Sequence, residues 1–123
     1  MNAMHAYKDF APDSSVKSAK DNEADVILSI TRDMKRSAQM KDRDFNAFVS
    51  AVHTNRRLWT RLASDVANPK NALPNELKAN IIYLSEFVQV HSGKVLQKDG
   101  DVEALVEINL SVLRGLASMG ESA

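Results

Sequence analysis

Residues 55–85 read Asn-Arg-Arg-Leu-Trp-Thr-Arg-Leu-Ala-Ser-Asp-Val-Ala-Asn-Pro-Lys-Asn-Ala-Leu-Pro-Asn-Glu-Leu-Lys-Ala-Asn-Ile-Ile-Tyr-Leu-Ser. This stretch decides the fold. It places the only tryptophan, Trp59, on an amphipathic helix. Asn68-Pro69 then breaks that helix, because a residue before proline disfavours the helical region. A second helix starts at Leu73-Pro74, where proline suits a first turn because its missing N–H would have no partner there. Two helices joined by a short polar turn make an antiparallel pair, the elementary unit of a helical bundle.

Upstream, Phe45, Phe48, Val49, Val52, Trp59, Leu62 and Val66 continue the tryptophan stripe, so this helix is predicted over about Asp44 to Ala67. At ~1.5 Å per residue it is on the order of 35 Å long. Asn55 bridges the gap between Val52 and Trp59 and lies on the apolar stripe. An earlier helix is predicted from about Asn22 to Gln39, with Ile27, Ile30, Met34 and Ala38 on one face. Asp21, Glu23 and Asp25 crowd its first turn, where the helix dipole favours negative charge. The Pro74 helix runs to about Val95 through Leu77, Ile81, Leu84, Val88 and His91. Asp99-Gly100-Asp101 reads as a turn, with Asp101 as N-cap of a last helix carrying Leu105, Ile108, Val112 and Leu116. The expected fold is all-α: a small single-domain bundle of about four amphipathic helices over residues 21–119, preceded by a flexible polar N-terminal arm over residues 1–20.

Composition excludes several classes of function. The chain has 123 residues, enough for one domain with a buried core. Basic and acidic residues number 16 each, so the net charge is zero. Such balance gives no long-range field for polyanions, which argues against direct nucleic-acid binding. There are no cysteines, hence no disulfide, thiolate metal site or cysteine nucleophile. No apolar run approaches the ~20 residues of a membrane span. Met1 to Phe10 lacks an apolar signal core, so a cytoplasmic location is expected.

Chemistry is sparse. His5, His53 and His91 are scattered, and neither His53 nor His91 has a ligating side chain three or four residues on. There is no phosphate loop, nucleotide-binding glycine pattern or nucleophile elbow. No catalysis, metal or cofactor is expected. Arg56, Arg57 and Arg61 form the one basic cluster beside an aromatic residue, but Trp59 points with the apolar stripe, so ring and guanidinium groups do not form one stacking surface. Asp65, four residues beyond Arg61, is placed to pair with it.

Two asparagines stand out. Asn55 lies on the stripe, and Asn109 lies beside positions 105, 108 and 112. A buried amide needs partners. Each would tie its helix to a neighbouring loop, for example near Asn71-Ala72-Leu73, or line a groove for a peptide. Trp59 serves either as a core anchor or as an interface hot spot. Gly115 permits close helix approach, with Leu113, Leu116 and Met119 around it as an exposed apolar edge.

Order and spacing of several motifs together resemble the FlaF family of alphaproteobacterial flagellar biosynthesis regulators. The matching residues are Asn55, Leu58, Trp59, Asp65, Asn71, Leu73, Pro74, Leu77, Ile81, Leu84 and Phe87, then Leu105-Val106-Glu107-Ile108-Asn109 and Arg114-Gly115-Leu116. Ala6-Tyr7 and the helix from Glu23 match more loosely. The resemblance implies a non-enzymatic role in flagellum assembly, with flagellin as partner and FlbT as companion regulator. It implies either a flagellin-binding export chaperone or a post-transcriptional regulator of flagellin mRNA, acting directly or through FlbT. An apolar groove between helices would take an amphipathic flagellin segment. The candidate partner-binding residues are Asn55, Leu58, Trp59, Asp65, Asn71, Leu73, Pro74, Asn109 and Leu116. The sequence leaves the oligomeric state open.

Overall fold

The computed structural model describes residues 15–122, with side-chain environments described for residues 23–118. Four helices follow one another: α1 (Ser15–Gln39), α2 (Phe45–Ala67), α3 (Asn75–Leu96) and α4 (Val102–Ser122). Short connections force neighbours antiparallel. Each helix packs on two others: α2 on α1 and α3, and α4 on α1 and α3. The result is an up-down-up-down bundle with α1 diagonally across from α3.

The core takes one stripe from each helix. Ile27 and Met34 come from α1, and Phe48, Val52, Leu58, Trp59, Leu62 and Val66 from α2. Ile81, Val88 and Val95 come from α3, and Leu105, Val106, Val112 and Leu116 from α4. Most of the predicted stripes fall here. Phe45 and Val49 are exceptions: Val49 is only half-buried, and Phe45, at the first turn of α2, remains exposed beneath the Lys98 ammonium, 5.4 Å from its ring centre. Helix α1 begins at Ser15, ahead of the predicted Asn22, so residues 15–20 of the expected arm are helical. Residues 1–14 of that arm, with His5 and Ala6-Tyr7, lie outside the described residues.

Local chemistry sets each boundary. Asp44 caps α2, its carboxylate accepting the Ala47 N–H at 3.1 Å. Asn68 adopts an extended ψ of 126° before Pro69, and its side chain accepts the Lys70 N–H at 2.9 Å. Asn71 accepts the Leu73 N–H at 3.0 Å, closing a tight side-chain turn that delivers the chain into α3. Pro74 is the N-cap residue rather than the first helical one, since its ψ of 146° is extended. Its carbonyl accepts the Lys78 N–H at 3.0 Å. At the other end of α3, Lys98 takes a positive φ of 64° and Asp99 N–H closes on Lys94 O at 2.8 Å. Asp101 caps α4 as predicted, accepting the Glu103 N–H at 2.9 Å.

Gly93 lies within α3, and a Cβ built on it meets nothing within 4 Å. Glycine in a helix interior costs about 0.8–1.0 kcal/mol relative to alanine. Gly93→Ala is therefore expected to stabilise the fold by about 0.5–1 kcal/mol, read as a raised urea midpoint at unchanged slope. Equal or lower stability would mean that a methyl group at position 93 displaces its neighbours.

Candidate partner-binding surface and the buried polar node

The candidate residues divide into those sealed in the core and those that shape turns. Three of the sealed ones, Asn55, Trp59 and Asn109, meet in a polar node at the bundle centre. Trp59, fully buried on α2, donates its indole N–H to Asn109 Oδ1 on α4 at 2.8 Å. Asn109 Nδ2 donates to Asn55 Oδ1 on α2 at 2.8 Å and to Thr31 Oγ1 on α1 at 2.9 Å. Thr31 passes its own proton back along its helix to Ile27 O at 2.7 Å. The direction of this relay follows from Trp59. An indole nitrogen only donates, so it requires an oxygen from Asn109. That leaves the Asn109 amino group to face Asn55, which must present its own oxygen. Asn55 Nδ2 has no protein partner here, and neither does the hydroxyl of buried Ser92 on α3.

The asparagines therefore tie helix to helix, not helix to loop as the sequence suggested. Asn71 caps its own turn, at some distance in the chain from the node. Leu58 and Leu116 are buried in the core, and Leu73 packs partly buried against it. Leu116 thus departs from the exposed edge expected near the C-terminus, and Leu113 is also half-buried; Met119 lies outside the described side chains. A Cβ at Gly115 would meet only the Leu77 Cδ1 tip of α3, at 3.4 Å, an ordinary contact, so the helix approach there does not require the glycine expected for it.

The basic cluster is mostly engaged within the bundle. Arg56 donates to Gln89 O on α3 at 2.9 Å, and Gln89 Nε2 returns a bond to Arg56 O at 3.0 Å. Arg61 pairs with Glu23 of α1 at 2.8 Å, not with Asp65. Glu23 lies across the α1–α2 seam, where it meets the guanidinium directly. Asp65 stays exposed, and its carbonyl accepts the Asn68 N–H at the helix end. Arg57 is exposed.

The surface the sequence reading missed is on α3. Among the described residues, the exposed large hydrophobic side chains are Met40, Phe45, Ile82, Tyr83, Phe87 and Val90. Four of these six lie on α3, on its outward side. Tyr83 is 71% exposed, Val90 65% and Phe87 43%. Their i, i+4, i+7 spacing puts them on one helix face. Meanwhile the inward face of the same helix buries Ser85 and Ser92. Ser85 is satisfied there by Trp59 O at 3.3 Å. A contiguous outward apolar stripe of this kind marks a contact surface more often than scattered exposed residues do. A signal was present in the sequence: Ile81-Ile82-Tyr83-Leu84 and Phe87-Val88 are too wide an apolar set for one buried stripe. His91, half-buried, stacks on Phe87 with ring centres 5.1 Å apart and bonds Asp101 O through Nε2 at 2.8 Å. It ties the end of the outward face to the α3–α4 turn.

Between α1 and α2 there is a depression of about 360 Å³, lined by Ile30, Met40, Ala47 and Ala51 together with Asp33, Arg36 and Asp44. Its charges are mixed, and it has no aromatic side chain, unlike the α3 face. Among the described residues no group of three ligating side chains converges, and no helix is long and apolar enough to cross a membrane.

The described residues thus form a four-helix bundle with a sealed polar centre and an outward apolar face on α3. The family described as flagellar protein FlaF matches residues 3–116, and this chain belongs to that family. Neither a curated protein nor a solved structure matches it.

Proposed function

We propose that this protein is a cytoplasmic, non-enzymatic flagellar assembly factor that binds flagellin before export. It holds an amphipathic flagellin segment against the outward face of α3 and so keeps that segment from premature assembly. Family membership supports the flagellar setting. The observation that carries the binding mode is the Tyr83, Phe87 and Val90 stripe, which turns aromatic surface to solvent while serines are buried behind it. An amphipathic helix laid on such a face is a recurring mode of peptide recognition. Direct control of flagellin mRNA, alone or with FlbT, is the competing role. It is less well supported, because Arg56 is bonded to Gln89 O and the exposed Arg61 is paired with Glu23, which leaves no continuous basic stripe.

The test is calorimetric titration with flagellin monomer, repeated with the flagellin mRNA leader. Micromolar or tighter flagellin binding with a negative heat-capacity change is expected. Tyr83→Ala and Phe87→Ala should each weaken it about tenfold or more, with unchanged far-UV circular dichroism, since truncating an interface anchor costs over about 1 kcal/mol. Salt-sensitive binding of the leader without flagellin binding would overturn the reading.

A further inference from the structure

We propose that, when no partner occupies it, the outward face of α3 is covered by α3 of a second copy of this chain, antiparallel and centred on Ser85. The charge pattern of the face carries this inference. Going along α3, Glu76, Tyr83, Phe87, Val90 and Lys94 all fall within about 60° of arc at ~100° per residue. Glu76 opens the stripe and Lys94 closes it, ~27 Å apart along the axis. Both are exposed. A two-fold contact is self-complementary: if residue i meets residue j, then j meets i. Centred on Ser85, antiparallel pairing sets Tyr83 on the partner's Phe87 and Phe87 on the partner's Tyr83. Val90 meets the partner's Asn80. At the two ends Glu76 meets the partner's Lys94, and Lys94 the partner's Glu76. The register that stacks the aromatic side chains is thus the same register that pairs every terminal charge with its opposite. In a parallel register Glu76 would face Glu76 and Lys94 would face Lys94, so parallel pairing is disfavoured. Glu86 lies at the edge of the stripe and stays in water.

One helix face is small for an interface and falls short of the about 1,200 Å² at which stable complexes begin. The dimer is therefore weak and exchanges readily, as a cover must if it is to give way to a partner. That competitive role rests on the flagellin reading; self-association does not.

Sedimentation equilibrium of the full chain tests both. A concentration-dependent monomer–dimer equilibrium is expected. Tyr83→Glu should abolish the dimer, with helicity retained because the side chain is exposed. Glu76→Lys should weaken it about tenfold at low salt, because it replaces two attractions with two repulsions. Glu76→Lys combined with Lys94→Glu should restore it. A monomer up to millimolar concentration, or a dimer indifferent to Tyr83→Glu and to the charge swap, overturns self-association and leaves flagellin binding standing. A dimer that behaves as expected while flagellin fails to bind overturns the proposed function alone. Flagellin bound to an intact dimer overturns the competition.

Discussion

Trp59→Ala is expected to lower the free energy of unfolding by about 3–5 kcal/mol, read by urea denaturation followed through far-UV circular dichroism. Two losses combine. The indole is fully buried, so its removal leaves a cavity in the bundle core. It also strips Asn109 Oδ1 of its donor, and a buried acceptor without a partner costs about 1–3 kcal/mol. Domains of this kind have about 5–15 kcal/mol in total, so much of the population would unfold on mild warming. Trp59→Phe separates the two terms. It keeps most of the ring and removes only the N–H, so about 1–3 kcal/mol should be lost. The sequence left Trp59 poised between core anchor and interface hot spot. A Trp59→Ala protein with a wild-type urea midpoint and no flagellin binding would return it to the interface.

The bundle was legible because four helices repeat apolar residues at helical spacing. Phe48, Val52, Trp59, Leu62 and Val66 show it most clearly, and Asn55 was placed on the right face by the same spacing. The start of α1 was not legible: Ser15 to Asn22 is a largely polar run with no apolar period to announce a helix. Partner choice was not legible either. Arg61 has Asp65 four residues away, yet Glu23, distant in sequence and close in space, takes the bond. The node follows the same rule. Asn109 meets Trp59 across 50 residues and Thr31 across 78, separations that a single sequence does not relate. The α3 face was hidden for another reason. That helix carries apolar residues on both sides, so hydrophobicity alone cannot say which side turns inward. The packing of α2 and α4 decides it, burying Ser85 and Ser92 and leaving Tyr83 and Val90 outside. Hence Asn55, Leu58, Trp59, Asn109 and Leu116 of the family pattern are buried, and the exposed apolar face of α3 lies mostly beside the pattern residues. Phe87 is the pattern residue that reaches it.

Asn109→Ala is expected to cost about 3–4 kcal/mol although it removes little volume. Asn109 is the one residue of the node that bonds to both α1 and α2 from α4. Its loss orphans the Trp59 N–H and the Asn55 carbonyl oxygen, each at about 1–3 kcal/mol. Asn55 would suffer most, since its Nδ2 already lacks a partner. Thr31 would suffer least, because it keeps its bond to Ile27 O. Asn109→Ala and Trp59→Phe remove the same hydrogen bond from opposite ends. Their double variant should therefore be about 1–2 kcal/mol more stable than the sum of the singles predicts. Additive losses in that cycle would mean the indole and the amide are not bonded in solution. The same variants separate architecture from function. The node's side-chain hydrogen bonds run among α1, α2 and α4 and include none of Tyr83, Phe87 and Val90, so folded Asn109→Ala protein should bind flagellin with wild-type affinity once the unfolded fraction is allowed for. Tyr83→Ala should show the reverse, full stability and weakened binding. If both variants lose binding per folded molecule, the node does more than hold the helices in register, and the outward face of α3 depends on it for its shape.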